Sequence, residues 1–179
     1  MMCRRSSPTL NSMKIIAIDP GYERLGIAIV EKQNGKETAL FSTCATTDKN
    51  LPHSERLAAI GEAVQDAIRK WKPGALAIET LFLFSNQKTA MKVAEARGVI
   101  LYEAASAGLP VFEYTPLQIK IAVTGYGRSD KRQVTEMVHK LLLLPPKKRL
   151  DDEYDALAIG LTCLATLRTT NRLRNYEQG

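Results

Sequence analysis

The stretch that decides how this chain begins to fold is a short apolar run closed by an acidic turn, Lys14-Ile15-Ile16-Ala17-Ile18-Asp19-Pro20-Gly21. A second apolar run covers residues 26–31, and only small and polar residues separate the two, which predicts two antiparallel strands. Asn34-Gly35 is typical of a tight hairpin turn, and residues 38–46 supply a third strand. The chain is therefore expected to open as a three-stranded antiparallel meander.

The pattern then changes to a helix and a buried strand. From Ser54 apolar residues recur every three or four positions until Pro73, which predicts an amphipathic helix. Residues 75–78 form a compact apolar run that ends at Glu79. A strand reached through a helical crossover lies parallel to the strand before it, so this fourth strand should run parallel to the first.

The remaining half predicts more helices and one further strand. A long helix over 86–107 leads to a fifth strand over 109–114, and three helices follow, the last over 152–167. The predicted order is βββαβαβααα. The simplest architecture is an α/β fold with a five-stranded mixed sheet, three antiparallel strands followed by two parallel ones, and helices on both faces.

Composition predicts one globular domain. The chain has 179 residues, of which 45% are hydrophobic and 25% charged, so it can bury a core and is not disordered. We assign the domain to 13–167, with 1–12 as a disordered basic extension and 168–179 as a flexible tail. Three cysteines at unrelated spacings form neither a disulfide framework nor a zinc pattern, which favours a cytoplasmic location. No stretch is long and apolar enough to predict a transmembrane segment.

Charge points to a polyanionic partner. Lys and Arg number 25 against 19 Asp and Glu, which gives a net charge of +6. Nucleic acid is the first candidate and an anionic membrane surface the second. Residues 115–149 hold eight basic residues against two acidic ones, so this segment alone carries the surplus. Within it, Gly125 and Gly127 permit close approach of backbone amides to phosphates.

Four carboxylates are candidates for one metal site. Asp19 and Glu79 end two strands that are expected to run parallel, so they should meet at one end of the sheet. Asp152 and Asp155 are three residues apart on a predicted helix and share a face. Converging carboxylates repel each other unless a cation binds, and oxygen ligands select Mg²⁺ or Mn²⁺. Two such ions can activate water and stabilise the leaving oxygen in phosphodiester hydrolysis.

Other interpretations of these carboxylates stay open. Asp152 or Asp155 taken alone is more simply a first-turn helix charge. Asp19 and Glu79 each close a buried strand, which makes a joint role more probable than separate ones. The Asp19-x-Gly21 hairpin also opens the phosphate-binding halves of actin-like kinases and ATPases, but such enzymes need a second domain of the same kind, and residues 115–149 contain no second hairpin of this type.

Together these motifs resemble the RuvC-type Holliday-junction resolvases over about residues 13–163. The motifs that carry the resemblance are Ile18-Asp19-Pro20-Gly21, Ala77-Ile78-Glu79, Ala94-Glu95-Ala96-Arg97-Gly98, Phe112-Glu113-Tyr114 and Asp152-x-x-Asp155-Ala156-Leu157-Ala158. The resemblance implies a ribonuclease-H-like fold and an endonuclease that resolves four-way junctions by symmetric paired nicks in recombination and repair. It also implies a homodimer, two Mg²⁺ ions per site with Mn²⁺ as a substitute, and a branch-migration motor as partner.

The resemblance also implies roles for particular residues. It makes Asp19, Glu79, Asp152 and Asp155 metal ligands and places Lys120 and Lys131 near the scissile phosphate. Expected DNA contacts are a wedge at Phe82, which follows Glu79 in an aromatic loop, together with Gly125, Gly127, Arg128, Lys131 and Arg132. The expected dimer helix presents Ala90, Val93, Ala94, Arg97 and Leu101.

Two points stay open from the sequence. Glu153-Tyr154 stands where the family commonly has small residues, and its effect on the last helix is not determined. A junction-binding scaffold that does not cut is the alternative to an endonuclease, and the four intact carboxylates favour the enzyme.

Overall fold

The computed structural model describes residues 12–80 and 87–177, with side chains over 13–80 and 90–167. In this part of the chain the element order is the predicted one, and five strands form one mixed sheet of order β3-β2-β1-β4-β5. The strands are β1 Ser12–Asp19, β2 Arg24–Gln33, β3 Lys36–Thr46, β4 Ala75–Glu79 and β5 Val111–Tyr114. The helices are α1 His53–Trp71, α2 Gln87–Ser106, α3 Pro116–Thr124, α4 Lys131–Leu142 and α5 Asp151–Glu177. The predicted fold class is confirmed.

Strand β1 lies at the centre of the sheet and fixes the register of its neighbours. It pairs antiparallel with β2, where Asp19 lies opposite Gly26, and parallel with β4, where Ile18 lies opposite Ile78. The next residues along these two strands are Asp19 and Glu79. The crossover argument therefore placed these two carboxylates correctly, at neighbouring strand ends.

Helices cover both faces of the sheet, and each face has its own core. Helices α1 and α2 pack on one face, where Ile16, Ile18 and Leu76 are fully buried. Helices α3, α4 and α5 pack on the other face, where Ala17 and Ala77 are fully buried. Period-two alternation along buried strands separates these two sets, since successive side chains point to opposite faces.

Helices α3 and α4 each begin with a side-chain cap. Thr115 caps α3 and Asp130 caps α4, each with a complete capping box. A residue in the left-handed conformation ends α3 at Gly125, with φ of 75°, a geometry that glycine adopts without strain.

Several element boundaries differ from the sequence prediction by one or two residues, and the largest difference is at the end of α5. Helix α5 continues to Glu177 and does not end near Leu167, because the sequence from 168 to 177 contains neither Pro nor Gly to stop it. Strand β1 begins at Ser12, two residues before the predicted apolar run, and residues 1–11 lie outside the described residues. Among the described helices, none combines the length and apolar character needed to cross a bilayer.

Candidate active site

The carboxylates of Asp19, Glu79, Asp152 and Asp155 form one acidic group, and Asp19 lies at its centre. It ends β1, directly after four fully buried residues. Burial, followed by the negative charges of Asp155, Glu79 and Asp152, raises the pKa of Asp19 to about 7 from its ordinary value of 3.8. Lys131 opposes this shift only in part. A carboxyl group whose charge is disfavoured by three others is typical of a site that a cation completes.

Glu79 ends the neighbouring strand β4 and shares this environment. Burial, and then the charge of Asp155, raises the pKa of Glu79 above its usual range. The strand itself is fixed on both sides, by β1 and by β5, where Glu79 lies opposite Tyr114. Its position is thus set by the sheet.

The first turn of α5 brings two more carboxylates to the same edge. Asp152 and Asp155 lie three residues apart, and both act on the pKa of Asp19. The turn lies so close to β2 that a Cβ at Gly26 would be 2.1 Å from the Asp152 carbonyl oxygen and 3.1 Å from the Asp19 Cβ. Only a residue without a side chain fits between them, so Gly26 determines how near α5 comes to Asp19.

Basic side chains partly neutralise this acidic group. Lys131 Nζ donates a hydrogen bond of 3.0 Å to Asp155 Oδ2 and lies 3.4 Å from Asp151 Oδ2. Burial alone would lower the pKa of Lys131, but the hydrogen bond and charge of Asp155 raise it above its usual value. On the other side, Arg24 Nη2 lies 3.0 Å from Asp152 Oδ2. This is an ion pair without the alignment of a hydrogen bond, and that buried oxygen has no hydrogen-bond donor.

The donor set fits a hard divalent cation in kind. All four predicted ligands offer carboxylate oxygens, and a buried oxygen of Asp152 has no hydrogen bond. In the described residues, no three His, Cys, Asp or Glu side chains lie close enough together to hold one ion. Lys131 and Arg24 instead make ion pairs with Asp155 and Asp152. The structure thus brings the four predicted carboxylates into one electrostatic group without closing them into a ligand shell.

A cleft of about 230 Å³ opens beside the carboxylates. Its polar lining combines acids and bases, Glu79 and Asp155 facing Lys120 and Lys131. The structure therefore brings both predicted lysines to the predicted carboxylates. Such a cleft offers an acidic pole for cations and a basic pole for a phosphate.

Glu153, one of the two residues at which the sequence departs from the family pattern, anchors the first turn of α5. It is only 6% exposed, and its carboxylate accepts hydrogen bonds from Ser42 Oγ on β3 at 2.7 Å and from the Leu150 amide at 3.2 Å. Arg149 Nε donates to the same Ser42 hydroxyl at 3.3 Å. Tyr154 packs against the His139 ring of α4, with ring centroids 5.9 Å apart. Both side chains hold the start of α5 in place.

The predicted DNA-binding residues lie where α3 and α4 meet. Gly125, Gly127 and Arg128 belong to the loop between the two helices, and Lys131 begins α4. Arg132 is exposed and donates to Glu136 Oε1 at 2.9 Å. The predicted wedge Phe82 lies outside the described residues.

The helix predicted to form a dimer has two different sides. Ala96, Ile100 and Ala104 are fully buried against the sheet. Of the five predicted interface residues, Ala94 is exposed, while Val93 and Leu101 pack partly against the core. Arg97 makes contacts within its own chain: it forms an ion pair with Glu113 on β5, and its Nε lies 3.5 Å from the carbonyl oxygen of Glu79. Arg97 thus ties α2 to the strand that carries Glu79.

Sequence reasoning missed three residues of this site and left the role of Glu153 open. Arg24, Gly26 and Ser42, on β2 and β3, contact Asp152 or its turn of α5. Only Gly26, seven residues after Asp19 in the hairpin, left a signal that could have been read further, since a glycine inside a strand often marks a close backbone approach.

The fold and the site together define a class. A mixed sheet of order β3-β2-β1-β4-β5, with carboxylates at the ends of β1 and β4 and on the last helix, is the ribonuclease-H-like architecture of the junction resolvases. The yeast mitochondrial Holliday junction resolvase Ydc2 shares it with a TM-score of 0.66 over 95% of this chain and 87% of that chain. At 12% identity this likeness concerns the fold alone.

Closer comparisons give the family. The family model described as crossover junction endodeoxyribonuclease RuvC matches residues 15–163. The protein of that name from Thermosipho melanesiensis is 48% identical over 153 residues, which cover 86% of this chain and 97% of the relative. The structure of Thermus thermophilus RuvC in complex with Holliday junction substrate aligns with a TM-score of 0.83 at 34% identity, over 88% of this chain and 96% of that chain. The chain belongs to the RuvC family of crossover junction endodeoxyribonucleases.

Proposed function

We propose that this protein is a Mg²⁺-dependent endonuclease that resolves four-way DNA junctions by paired, symmetric phosphodiester hydrolysis, in recombination and repair in the cytoplasm. The observation that carries the proposal is the cleft, in which Glu79 and Asp155 face Lys120 and Lys131 beside the acidic centre at Asp19. Family membership and the junction-bound relative support the choice of substrate.

In this proposal the four carboxylates hold the metal. Asp19, Glu79, Asp152 and Asp155 would supply oxygen ligands, and the bound cations would activate water and stabilise the leaving oxygen. Mn²⁺ should substitute, because it accepts the same ligands. Burial, together with repulsion from the neighbouring carboxylates, raises the pKa of Asp19, and a bound cation would offset the free-energy cost of its negative charge.

In this proposal Lys120 and Lys131 bind the phosphate of the DNA strand that is cut. Lys120 lines the cleft and is positioned to contact a phosphate oxygen. Lys131 is held by Asp155 and Asp151 when no substrate is present. If Asp155 held a cation, Lys131 would be available to pair with a phosphate of the DNA.

Symmetric cutting requires two sites, and α2 offers a surface for a second copy. Exposed apolar or small residues recur along its outer side at helical spacing: Met91, Ala94, Gly98, Tyr102 and Ala105. A self-complementary dimer would place two identical clefts about a two-fold axis, as two opposed cuts in a junction demand. In this assembly Phe82 would open the base stack at the crossover, and Gly125, Gly127, Arg128 and Arg132 would bind the backbone. A branch-migration motor would be the partner that delivers junctions.

The test is incubation with a mobile synthetic four-way junction, with Mg²⁺ or with chelator, followed by mapping of nicks on all four strands. The proposal expects Mg²⁺-dependent nicks at symmetric positions on two opposed strands. Binding without any nick would favour the non-cutting scaffold, and nicks that persist in chelator would remove the metal from the mechanism.

A cruciform plasmid tests the dimer separately, because paired cuts linearise it and single cuts only relax it. Ala94→Arg, at the exposed side of α2, should give folded monomers by sedimentation and a relaxed plasmid. A linearised plasmid from a protein that sediments as a monomer would contradict the dimer.

A further inference from the structure

The loop between α3 and α4 presents an aromatic side chain to solvent. Tyr126 is 58% exposed and stands between Gly125 and Gly127. Neither glycine has a side chain that could cover the tyrosine ring. A large exposed aromatic side chain at a rigid position is typical of a surface that a partner covers.

The backbone of Tyr126 is held at both ends of the residue. Its amide donates to Thr124 Oγ1 at 3.1 Å, and its carbonyl accepts from Ser129 Oγ at 2.8 Å and from the Ser129 amide at 3.2 Å. The two hydroxyls lie 2.7 Å apart, and Ser129 is only 3% exposed. A loop fixed in this way holds its tyrosine ready for binding, so little conformational entropy is lost when a partner arrives.

Two further exposed apolar side chains lie beside this loop. Leu117 and Ile121 lie one turn apart on α3 and are 56% and 49% exposed. A Cβ at Gly127 would be 2.6 Å from Leu117 Cδ1 and 3.4 Å from Ile121 Cγ1, so the loop rests directly on these side chains. We call Leu117, Ile121 and Tyr126 the α3 patch.

Positive charge and the cleft border the α3 patch. Lys120 lies between Leu117 and Ile121 in the chain and lines the cleft, and the Lys120 carbonyl accepts from Thr124 Oγ1 at 2.8 Å. Beyond the loop, Lys131 begins α4 and contacts Asp155. An apolar surface bordered by cations matches single-stranded nucleic acid, because bases stack on aromatic rings while the backbone phosphates pair with Lys and Arg.

We propose that Tyr126 stacks on a nucleobase of the junction strand that enters the cleft, next to the scissile phosphate, and that Leu117 and Ile121 cover the edge of that base. This inference rests on the proposed function. It assigns to the α3 patch the task of holding one base out of the stack on the side of the cleft formed by α3 and α4. Stacking on a single ring favours some bases over others, so the α3 patch contributes to the choice of cleavage site.

The first test compares junction affinity in chelator for Tyr126→Ala, Tyr126→Leu and Tyr126→Phe, with fluorescence anisotropy as readout. Tyr126→Phe keeps the ring and should bind like the wild type, whereas the Ala and Leu variants should lose between about fivefold and a hundredfold. Leu141→Ala is the control, because it removes an exposed apolar side chain at the far end of α4. Wild-type affinity in Tyr126→Leu would overturn stacking.

The second test locates the contact directly. A junction carrying 5-iodouracil at single positions near the crossover is irradiated in the complex, and the crosslinked peptide is sequenced. A crosslink at Tyr126 is expected for bases beside the mapped nick, and its absence at every position would overturn the inference. So would a Tyr126→Ala variant that changes sedimentation while binding the junction normally, because the α3 patch would then contact protein.

The failures can be told apart. If the wild-type protein neither binds nor cuts junctions, both the proposed function and this inference are wrong. If the wild type cuts and Tyr126→Ala binds and cuts equally well at the same positions, only the role of Tyr126 is wrong.

Discussion

The two faces of the central sheet are built from side chains of different size. Large residues fill the face under α1 and α2, whereas alanines recur on the face under α5. The fully buried strand residues are Ile16, Ile18, Leu25, Ile27, Ile29, Leu76 and Ile78 on the first face, and Ile15, Ala17, Ala28, Val30, Ala75 and Ala77 on the second. Each strand residue of the first face therefore buries more apolar surface, on average, than one of the second.

The small residues of the second face let α5 come close. Gly160 lies on the side of α5 that meets the sheet, one turn after Ala156, and a Cβ at Gly160 would be 2.7 Å from Val30 Cγ2. Since interiors are packed as densely as crystals, a helix seated this tightly has little room to shift. The comparison teaches that close packing on the second face fixes the positions of Asp152 and Asp155, whereas the large side chains of the first face contribute burial alone.

The largest effect is expected at the centre of the acidic group. Asp19→Asn should lower junction cleavage by roughly a thousandfold or more, because the proposed metal site would lose a ligand. Junction binding, measured by anisotropy in chelator, should stay near the wild-type value, since the basic residues of α3 and α4 are unchanged. Cleavage within tenfold of the wild type would remove Asp19 from the site.

The same substitution should stabilise the metal-free protein at high pH. With a pKa of about 7 in the folded chain against an ordinary 3.8, Asp19 keeps a proton that the unfolded chain has released. Stability therefore falls as pH rises from about 4 through about 7. In urea unfolding at pH 8 with chelator, Asp19→Asn should be more stable than the wild type, on the order of a few kcal/mol. Equal stability at pH 8 would contradict the buried, repelled carboxylate.

Gly26→Ala tests the fit of α5 against β2. The new Cβ would meet the Asp152 carbonyl at 2.1 Å, so the first turn of α5 must move. We expect cleavage to fall by about a hundredfold and stability by about 1–3 kcal/mol. Gly74→Ala is the matched control, because its nearest neighbour would lie at 3.8 Å. If Gly26→Ala cleaves like Gly74→Ala, close packing does not place Asp152.

Glu153 gives a smaller effect of the same kind. Glu153→Ala leaves the Ser42 hydroxyl and the Leu150 amide without their acceptor, at a cost of about 1–3 kcal/mol. Cleavage should fall about tenfold in kcat, while Glu153→Gln, which keeps an acceptor oxygen, should recover most of it. Full activity in Glu153→Ala at a temperature where it is folded would show that this contact serves stability alone.

The smallest effect on activity is expected on the other face. Ile60→Val, in the core under α1, should cost about 0.5–1.5 kcal/mol in thermal unfolding and leave cleavage unchanged. Ala17→Val is the counterpart under α5. Ala17 lies so close to Gly160 that a Cβ at Gly160 would be only 3.2 Å from the Ala17 Cβ. The added methyl groups of valine should therefore lower both stability and cleavage. Equal loss of cleavage in the two variants would break the distinction between the faces.

The sequence predicts what depends on chain order and periodicity. Asp19 and Glu79 could be placed side by side because crossover connections make β1 and β4 parallel and both acids close apolar runs. Asp152 and Asp155 could be placed on one helix face because side chains three apart are neighbours. Thr115 before Pro116 is an equally readable N-cap, whereas the sequence leaves the cap of α4 open between Ser129 and Asp130, and the structure shows Asp130.

What the sequence could not predict depends on distances between elements. Nothing in the chain order says that Lys131 pairs with Asp155, or that Arg24 reaches Asp152. The buried hydrogen bond between Ser42 and Glu153 joins residues 111 positions apart, and such pairings follow only from packing. The end of α5 was missed for a simpler reason, since helix propensity alone does not say where a helix without Pro or Gly stops.

The most direct test of the central claim is the effect of Mg²⁺ on thermal unfolding at pH 8, for the wild type and for Asp19→Asn. The claim is that the sheet face under α5 brings four carboxylates close enough to repel one another, and that a bound divalent cation relieves this repulsion. Mg²⁺ should raise the melting temperature of the wild type in a concentration-dependent way, and this rise should be lost or much reduced in Asp19→Asn. An equal rise in both proteins, or none in the wild type at millimolar Mg²⁺, would contradict the account.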